Sequence, residues 1–420
     1  MNFFRGKTGW AISVTCSLVF SISISKAQDT TFLRNLIYSK ASDSLKSILS
    51  KPEIFRYQLI YTRIDRDKRN RPTFTHFNYR VDKNEYFNPA SMVKMPVAFL
   101  ALEKMNQLSS KGIDKYNGML TDSSYSRQTD VLKDTSAESG LPSVAHYIKK
   151  VFLVSDNEAY NRLYEFNGQQ FMNERLWAMG YKDFRITRRF VTMNEDENRH
   201  TNQVRFIKNS NIIYIQPPAF NKILFDFKRQ IYIGNAYYDR DEKLIDSPMN
   251  FTTHNNAPLA DLQQLMQTVL FPESMPEQKR FYLNKDDYKF LYRYMSMLPH
   301  ESSYPNYDTS EYFDSYTKFF MFKSGKSKIP PHIRVFNKTG WSYGFLTDVA
   351  YIVDFKNKVE FMLSGVIYVN SDGILNDNKY EYEQTGYPFF KEIGNIIYDY
   401  ELERNRKHKP DLSKFRVSDY

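Results

Sequence analysis

Three short motifs, in one order along 420 residues, carry the side chains that can do chemistry: Ser91-Met92-Val93-Lys94, Ser155-Asp156-Asn157 and Lys338-Thr339-Gly340. A free serine hydroxyl is a weak nucleophile and needs a neighbouring base; a lysine serves when burial and nearby cations leave it neutral. Ser91 and Lys94 are spaced as that pair, one helical turn apart on one face. Ser155 offers a second hydroxyl that can relay protons, and Asn157 an amide for Lys94 or for a substrate amide. Lys338, Thr339 and Gly340 form a cationic strand edge for a substrate carboxylate, with the N–H groups of Ser91 and Trp341 as candidate oxyanion donors.

Each motif alone is weak. Ser23-Ile24-Ser25-Lys26 and Ser315-Tyr316-Thr317-Lys318 repeat the first pattern, and Lys7-Thr8-Gly9 repeats the third. Taken singly, the second motif reads as a simple helix cap and the third as a turn ending a strand. Context separates Ser91 from its decoys. Asn88 stands as an N-cap before Pro89 at the first helical position, and an apolar run from Met92 to Leu102 follows. The positive end of that helix disfavours a protonated Lys94 and favours negative charge near Ser91.

The elements around the other motifs are also legible. Val144, Ile148, Val151 and Phe152 recur at helical spacing, so Ser155-Asp156-Asn157 reads as a helix-to-helix turn in which Ser155 or Asp156 caps a segment running to Tyr164. Ile333, Val335 and Asn337 alternate with Arg334, Phe336 and Lys338, which predicts a strand with Arg334 and Lys338 on one face. A helix is predicted over 31–50, strands over 55–64 and 73–81, and helices through 89–180, 259–269 and 286–297. Residues 299–330 read as loop, 333–338, 346–354 and 359–369 as strands, and 387–404 as a last helix. This predicts an α/β (α+β) unit: an antiparallel sheet from both chain ends packed with helices, plus an all-helical subdomain, the cleft lying between them.

The ordered S-x-x-K, S-D-N and K-T-G motifs, with the approach Asn78-Tyr79-Arg80-Val81-Asp82 and Tyr86-Phe87-Asn88-Pro89-Ala90-Ser91, resemble the serine β-lactamase and penicillin-binding protein superfamily, most of all class A β-lactamases. The resemblance spans nearly the whole of residues 28–420 and implies the serine β-lactamase/transpeptidase-like fold. It implies a hydrolase that opens β-lactam rings through an acyl-enzyme on Ser91. Lys94, or the Ω-loop glutamate through water, removes the serine proton, and Ser155 relays a proton to the leaving nitrogen. No cofactor or metal is implied. The alternatives are a D-alanyl-D-alanine peptidase acting on peptidoglycan and a non-catalytic envelope binding protein on the same scaffold.

The family's Ω-loop carries a glutamate that activates the deacylating water, with an asparagine four residues later. Thr187-Arg188-Arg189-Phe190 resembles the start of that loop, and Glu197 is assigned the role with Glu195 in reserve, although neither has an asparagine four residues on. Ser155 and Lys338 are 183 residues apart, longer than the family's usual interval, which points to an insertion at about 203–245. Within it, Ile212-Ile213-Tyr214-Ile215 and Gln230-Ile231-Tyr232-Ile233 flank Pro217-Pro218 and read as a hairpin-like excursion beside the cleft.

Bulk properties bound the rest. With 41% hydrophobic residues and dispersed motifs, one large core is expected rather than separate domains. Residues 1–27 read as a cleavable signal peptide: Arg5 and Lys7, an apolar stretch from Trp10 to Ile24, then Ser25-Lys26-Ala27. The expected site of action is therefore periplasmic or secreted, with no stable membrane insertion. The sole cysteine, Cys16, leaves with that segment, which excludes disulfides and cysteine catalysis from the processed chain. Arg5, Lys7 and Lys26 leave too, so a net charge of +10 becomes +7. That mild excess suits an anionic ligand or cell-envelope surroundings, and a solvated basic surface explains it as well, while nucleic-acid modules and metal-ligand spacings are missing from the sequence. A small-molecule β-lactam is the partner the resemblance implies, and nothing demands more than a monomer.

Overall fold

The computed structural model describes residues 30–416. The predicted signal segment, with Cys16 and the decoys Lys7-Thr8-Gly9 and Ser23-Ile24-Ser25-Lys26, lies outside them. The helix predicted over 31–50 is two helices, α1 (Thr30–Lys40) and α2 (Asp43–Leu49), because the Ser42 hydroxyl accepts from the Leu45 N–H and caps a new start. After α3 (Pro52–Phe55), β1 (Gln58–Arg66) and β2 (Pro72–Tyr79) form a hairpin.

The helical side follows: α4 (Lys94–Gln107), β3 (Gly118–Thr121), α5 (Val144–Leu153), α6 (Asn157–Asn167), α7 (Gln169–Ala178) and the short α8 (Glu195–Arg199). The stretch expected to be an excursion builds β4 (Val204–Lys208) and β5 (Asn211–Gln216), a hairpin that extends β3 into a three-stranded sheet. Next come the short strands β6 (Tyr232–Ile233), β7 (Ala236–Tyr238), β8 (Leu244–Ile245) and β9 (Met249–Asn250), of which β6 pairs with β9. Helices α9 (Leu259–Leu270) and α10 (Lys285–Ser296) return to the core before β10 (Ile333–Ser342), β11 (Phe345–Asp354) and β12 (Val359–Tyr368). The short β13 (Ile374–Leu375) pairs with β7, and α11 (Tyr387–Glu403) is the last α-helix among the described residues.

The main sheet has the order β10-β11-β12-β1-β2, antiparallel throughout, so both chain ends contribute. Every residue of β11 and β12 is buried, which is why their sequences read as near-continuous apolar runs instead of alternating. One core lies between the sheet and α4, α5, α6, α9 and α10; the other packs α1, α2 and α11 against the opposite face. Pro72 is tolerated because β2 is an edge strand. Strand β10 is the other edge, and it is the one that carries Lys338-Thr339-Gly340. No helix among the described residues is long and apolar enough to cross a membrane.

Within the sheet, Glu360 of β12 accepts from Arg66 Nε at 2.6 Å and Arg66 Nη2 at 2.7 Å, and from the Tyr351 hydroxyl at 2.6 Å, all in buried surroundings. Removing one member strands the other charge in the interior. Glu360→Ala is expected to lower unfolding free energy by about 3–5 kcal/mol, read by urea denaturation, whereas a loss below about 1 kcal/mol would mean that the pair is solvated.

Candidate active site

Ser91 is not placed by a simple helix start. Ala90 adopts a left-handed backbone with φ 44°, so the predicted Asn88 cap and Pro89 first position do not open an α-helix. Instead a 3₁₀ turn covers Ala90–Val93 and the α-helix begins at Lys94. Asn88 acts one step earlier, its Oδ1 accepting from the Ala90 N–H at 2.9 Å and holding that turn. A left-handed non-glycine residue costs of order 1–3 kcal/mol and persists where surroundings over-determine it. Here it presents Ser91 at the wall of a cleft of about 880 Å³.

Lys94 is fully buried behind that wall. Its Nζ donates to Asn157 Oδ1 at 2.7 Å and to the Ser155 carbonyl, and lies 3.4 Å from Ser155 Oγ. Burial lowers its pKa to about 7, an effect that Asp156 partly offsets. Ser155, at φ 63°, also holds a left-handed turn, which aims its carbonyl at Lys94. Asp156, not Ser155, is the cap of α6, accepting from the Ala159 N–H at 2.8 Å. Ser155 is thereby free for Lys338, whose Nζ donates to Ser155 Oγ at 2.8 Å and to the Thr339 carbonyl at 2.7 Å. Burial first, and Lys94 second, push the Lys338 pKa well down.

Gly340 explains the third motif's last letter. A Cβ built there would lie 2.7 Å from the Pro89 carbonyl oxygen and 2.9 Å from the Ser91 nitrogen. Only glycine lets β10 approach the nucleophile's backbone this closely. Trp341, the next residue, lines the cleft together with Ser91 and Asn157. Thr339 is wholly buried and its hydroxyl has no hydrogen-bond partner among the described residues. Arg334, expected on the same face as Lys338, is spent on a bidentate pair with Glu301 at 2.7 and 2.8 Å.

Glu197 does not join this group. Its carboxylate closes a capping box with the Asn194 N–H at 2.8 Å and accepts from Ser126 Oγ at 3.1 Å, bonds that lower its pKa and make it a weaker base. Glu195 lines a separate pocket with Arg199, Phe225 and Thr253. Phe190 stands where the chemistry would want a carboxylate: it lines the cleft, and its ring centroid is 5.0 Å from Lys94 Nζ. Asn194 lies four residues on from Phe190, the interval expected of the water-activating glutamate.

A buried polar network that the sequence reading set aside also supports β10. Lys318, the lysine of the decoy Ser315-Tyr316-Thr317-Lys318, donates to Asn337 Oδ1 at 2.7 Å and to the carbonyls of Met295 and Val335. Asn337 Nδ2 in turn donates to Asp348 Oδ1 at 2.9 Å, and Asp348 Oδ2 accepts from the Phe319 and Phe320 N–H groups. Burial moves Lys318 down and Asp348 up, both toward neutrality. Only the pairing of strand and loop brings these residues together.

Three stretches far apart in sequence thus meet at one serine, one lysine pair and one strand edge. Residues 44–216 match the model of the β-lactamase enzyme family, which supports a serine β-lactamase-like family for the chain. Among solved structures it is similar to a β-lactamase from Xanthomonas campestris, at 14% identity over 89% of this chain and 98% of that one, TM-score 0.48. It is likewise similar to a β-lactamase from Burkholderia vietnamiensis, at 11% identity over 91% and 100%, TM-score 0.45. A class A β-lactamase reconstructed as the last common ancestor of Gram-negative bacteria is 15% identical over 85% and 99%, TM-score 0.46. No curated protein matches the chain.

The contact at Gly340 gives a test. Gly340→Ala forces β10 away from Pro89 and Ser91, with an expected overpacking cost of about 1–3 kcal/mol in thermal or denaturant unfolding. An unchanged stability would mean that the two segments separate freely.

Proposed function

We propose that the chain is an exported serine hydrolase that opens β-lactam rings by forming an acyl-enzyme on Ser91. The observation that carries this reading is the junction in which Ser155 Oγ accepts from Lys338 Nζ at 2.8 Å while Lys94, its pKa lowered to about 7, is held 3.4 Å from the same oxygen behind the Ser91 wall. Neutral Lys94 takes the Ser91 proton as Oγ attacks the lactam carbonyl, and the Ser91 and Trp341 N–H groups stabilise the oxyanion. Because Ser155 Oγ accepts from Lys338, its own proton passes to the leaving nitrogen as the C–N bond breaks, and Lys94, 3.4 Å away, returns to Ser155 the proton it took from Ser91. The unpartnered Thr339 hydroxyl and Lys338 suit the carboxylate that β-lactams carry. Export rests on the basic, apolar and small-residue pattern of residues 1–27.

Hydrolysis of the acyl-enzyme is the weak half of the cycle. An apolar ring at Phe190 covers Lys94, and Glu197 is committed to its own helix cap, so neither position supplies a carboxylate to activate water. The same observation favours a second reading, a D-alanyl-D-alanine-type peptidase that β-lactams acylate and block.

Mixing the protein with a chromogenic cephalosporin is expected to give a burst near one equivalent, slow turnover and an adduct on Ser91 by intact mass. Ser91→Ala abolishes both burst and adduct. Fast turnover by the wild type would overturn the role given to Phe190, and neither burst nor adduct would leave a binding protein on this scaffold. Phe190→Glu is expected to raise steady-state turnover at least about tenfold by supplying a general base, measured with the same substrate.

The acylation rate should rise with pH, since Lys94 must lose its proton to act and its folded-state pKa is depressed to about 7. Between pH 6 and pH 8 the neutral fraction grows roughly tenfold, and the burst rate should follow it. A flat profile would remove Lys94 as the base.

A further inference from the structure

We propose that the cleft holds a second anion subsite at Arg188, which makes the preferred acyl donor a substrate with an additional carboxylate on its acyl side. This rests on acyl transfer at Ser91 and extends it to substrate class. Arg188 lines the same cleft as Ser91. Its backbone is pinned on both sides: its N–H donates to Asn255 Oδ1 at 3.2 Å and its carbonyl accepts from the Tyr160 hydroxyl at 2.9 Å. Its guanidinium donates through Nη1 to His254 Nε2 at 2.6 Å. Burial and the adjacent guanidinium hold His254 neutral, with a pKa lowered to about 3, so the imidazole orients Arg188 without neutralising it.

Six other arginines are paired, whereas Arg188, like Arg185, has no carboxylate partner among the described residues. Arg66, Arg162, Arg175, Arg189, Arg205 and Arg404 each ion-pair with a carboxylate. Among the described residues no carboxylate lies within ion-pairing distance of Arg188, whose pKa desolvation lowers. The charged groups facing it are Glu195 and Arg240, with Tyr86 and Tyr343 beside it. Asp239 and Asp241 also line the cleft, but Asp239 Oδ1 is turned onto its own loop, accepting from the Asp241 and Lys243 N–H groups. A planar fork of donors held by a neutral partner and open to a cleft is suited to a carboxylate.

The placement gives the substrate its polarity. The carboxylate that β-lactams carry is assigned to Lys338 and Thr339 on the leaving half, and Arg188 lines the cleft with Ser91, so the carboxylate left for Arg188 is one on the acyl half.

Benzylpenicillin and its α-carboxy derivative carbenicillin differ by one carboxylate on the acyl side chain and so probe the subsite directly. With the full-length processed protein, the second-order rate of Ser91 acylation, followed by intact mass, is expected to be at least about tenfold higher for carbenicillin. Arg188→Gln should bring that ratio to about one, and Arg188→Lys should retain part of it by point charge. Equal rates in the wild type, or an unchanged ratio in Arg188→Gln, overturn the proposal. Equilibrium binding of the pair to Ser91→Ala, by calorimetry, reads the subsite without the chemistry. A preference for carbenicillin there, lost in Ser91→Ala/Arg188→Gln, supports the subsite even where wild-type protein is not acylated, an outcome that would sink acyl transfer alone. Equal binding in Ser91→Ala overturns the subsite.

Discussion

Two buried lysine amines share one hydroxyl, and the site's architecture answers to that constraint. Lys94 and Lys338 are both buried, and both lie within 3.4 Å of Ser155 Oγ. Two cations so placed cannot both keep their protons without strong opposition from desolvation and from each other. The scaffold manages this with carbonyl and amide oxygens in place of carboxylates: Ser155 O and Asn157 Oδ1 for Lys94, Thr339 O for Lys338. Neutral acceptors hold the lysines in position while leaving Lys94 easy to deprotonate, which is the property a nucleophile's base requires.

That arrangement demands three rigid elements meeting within a few ångströms. The 3₁₀ turn before α4, the left-handed turn between α5 and α6, and the edge of β10 each hold a position that local preference alone disfavours. Backbone strain at Ala90 and Ser155 and a bare glycine at 340 are tolerated because two cores clamp the elements from both faces of the sheet. The Lys318-Asn337-Asp348 network fixes β10 from behind at Asn337, one residue before Lys338.

The same cleft is well equipped for one half-reaction and poorly equipped for the other. On the proposed reading Ser91, Lys94, Ser155 and Lys338 serve acylation, whereas the segment at 187–194 brings an aromatic ring to Lys94. An apolar ring carries no group that could activate water, so on the proposed reading forming the acyl-enzyme and removing it are separable in this scaffold.

Much of this was legible in the sequence. The order of the three motifs, the apolar runs of β11 and β12 and the helical periodicity around Ser91 and Ser155 report local and binary-pattern physics, which composition and spacing encode directly. The identity of Ser91, Lys94, Ser155, Asn157 and Lys338 as one group was readable for that reason. Glu197 was not: acidic residues near a loop look alike in one dimension, and only folding showed its carboxylate closing a helix cap while Phe190 reached Lys94. Nor could spacing separate Lys318, buried behind β10, from Lys94, the proposed base, since their difference is which oxygens surround each amine. Sequence determined which side chains are available; tertiary structure decided their protonation, partners and exposure, because those depend on distances across the fold that no local pattern encodes.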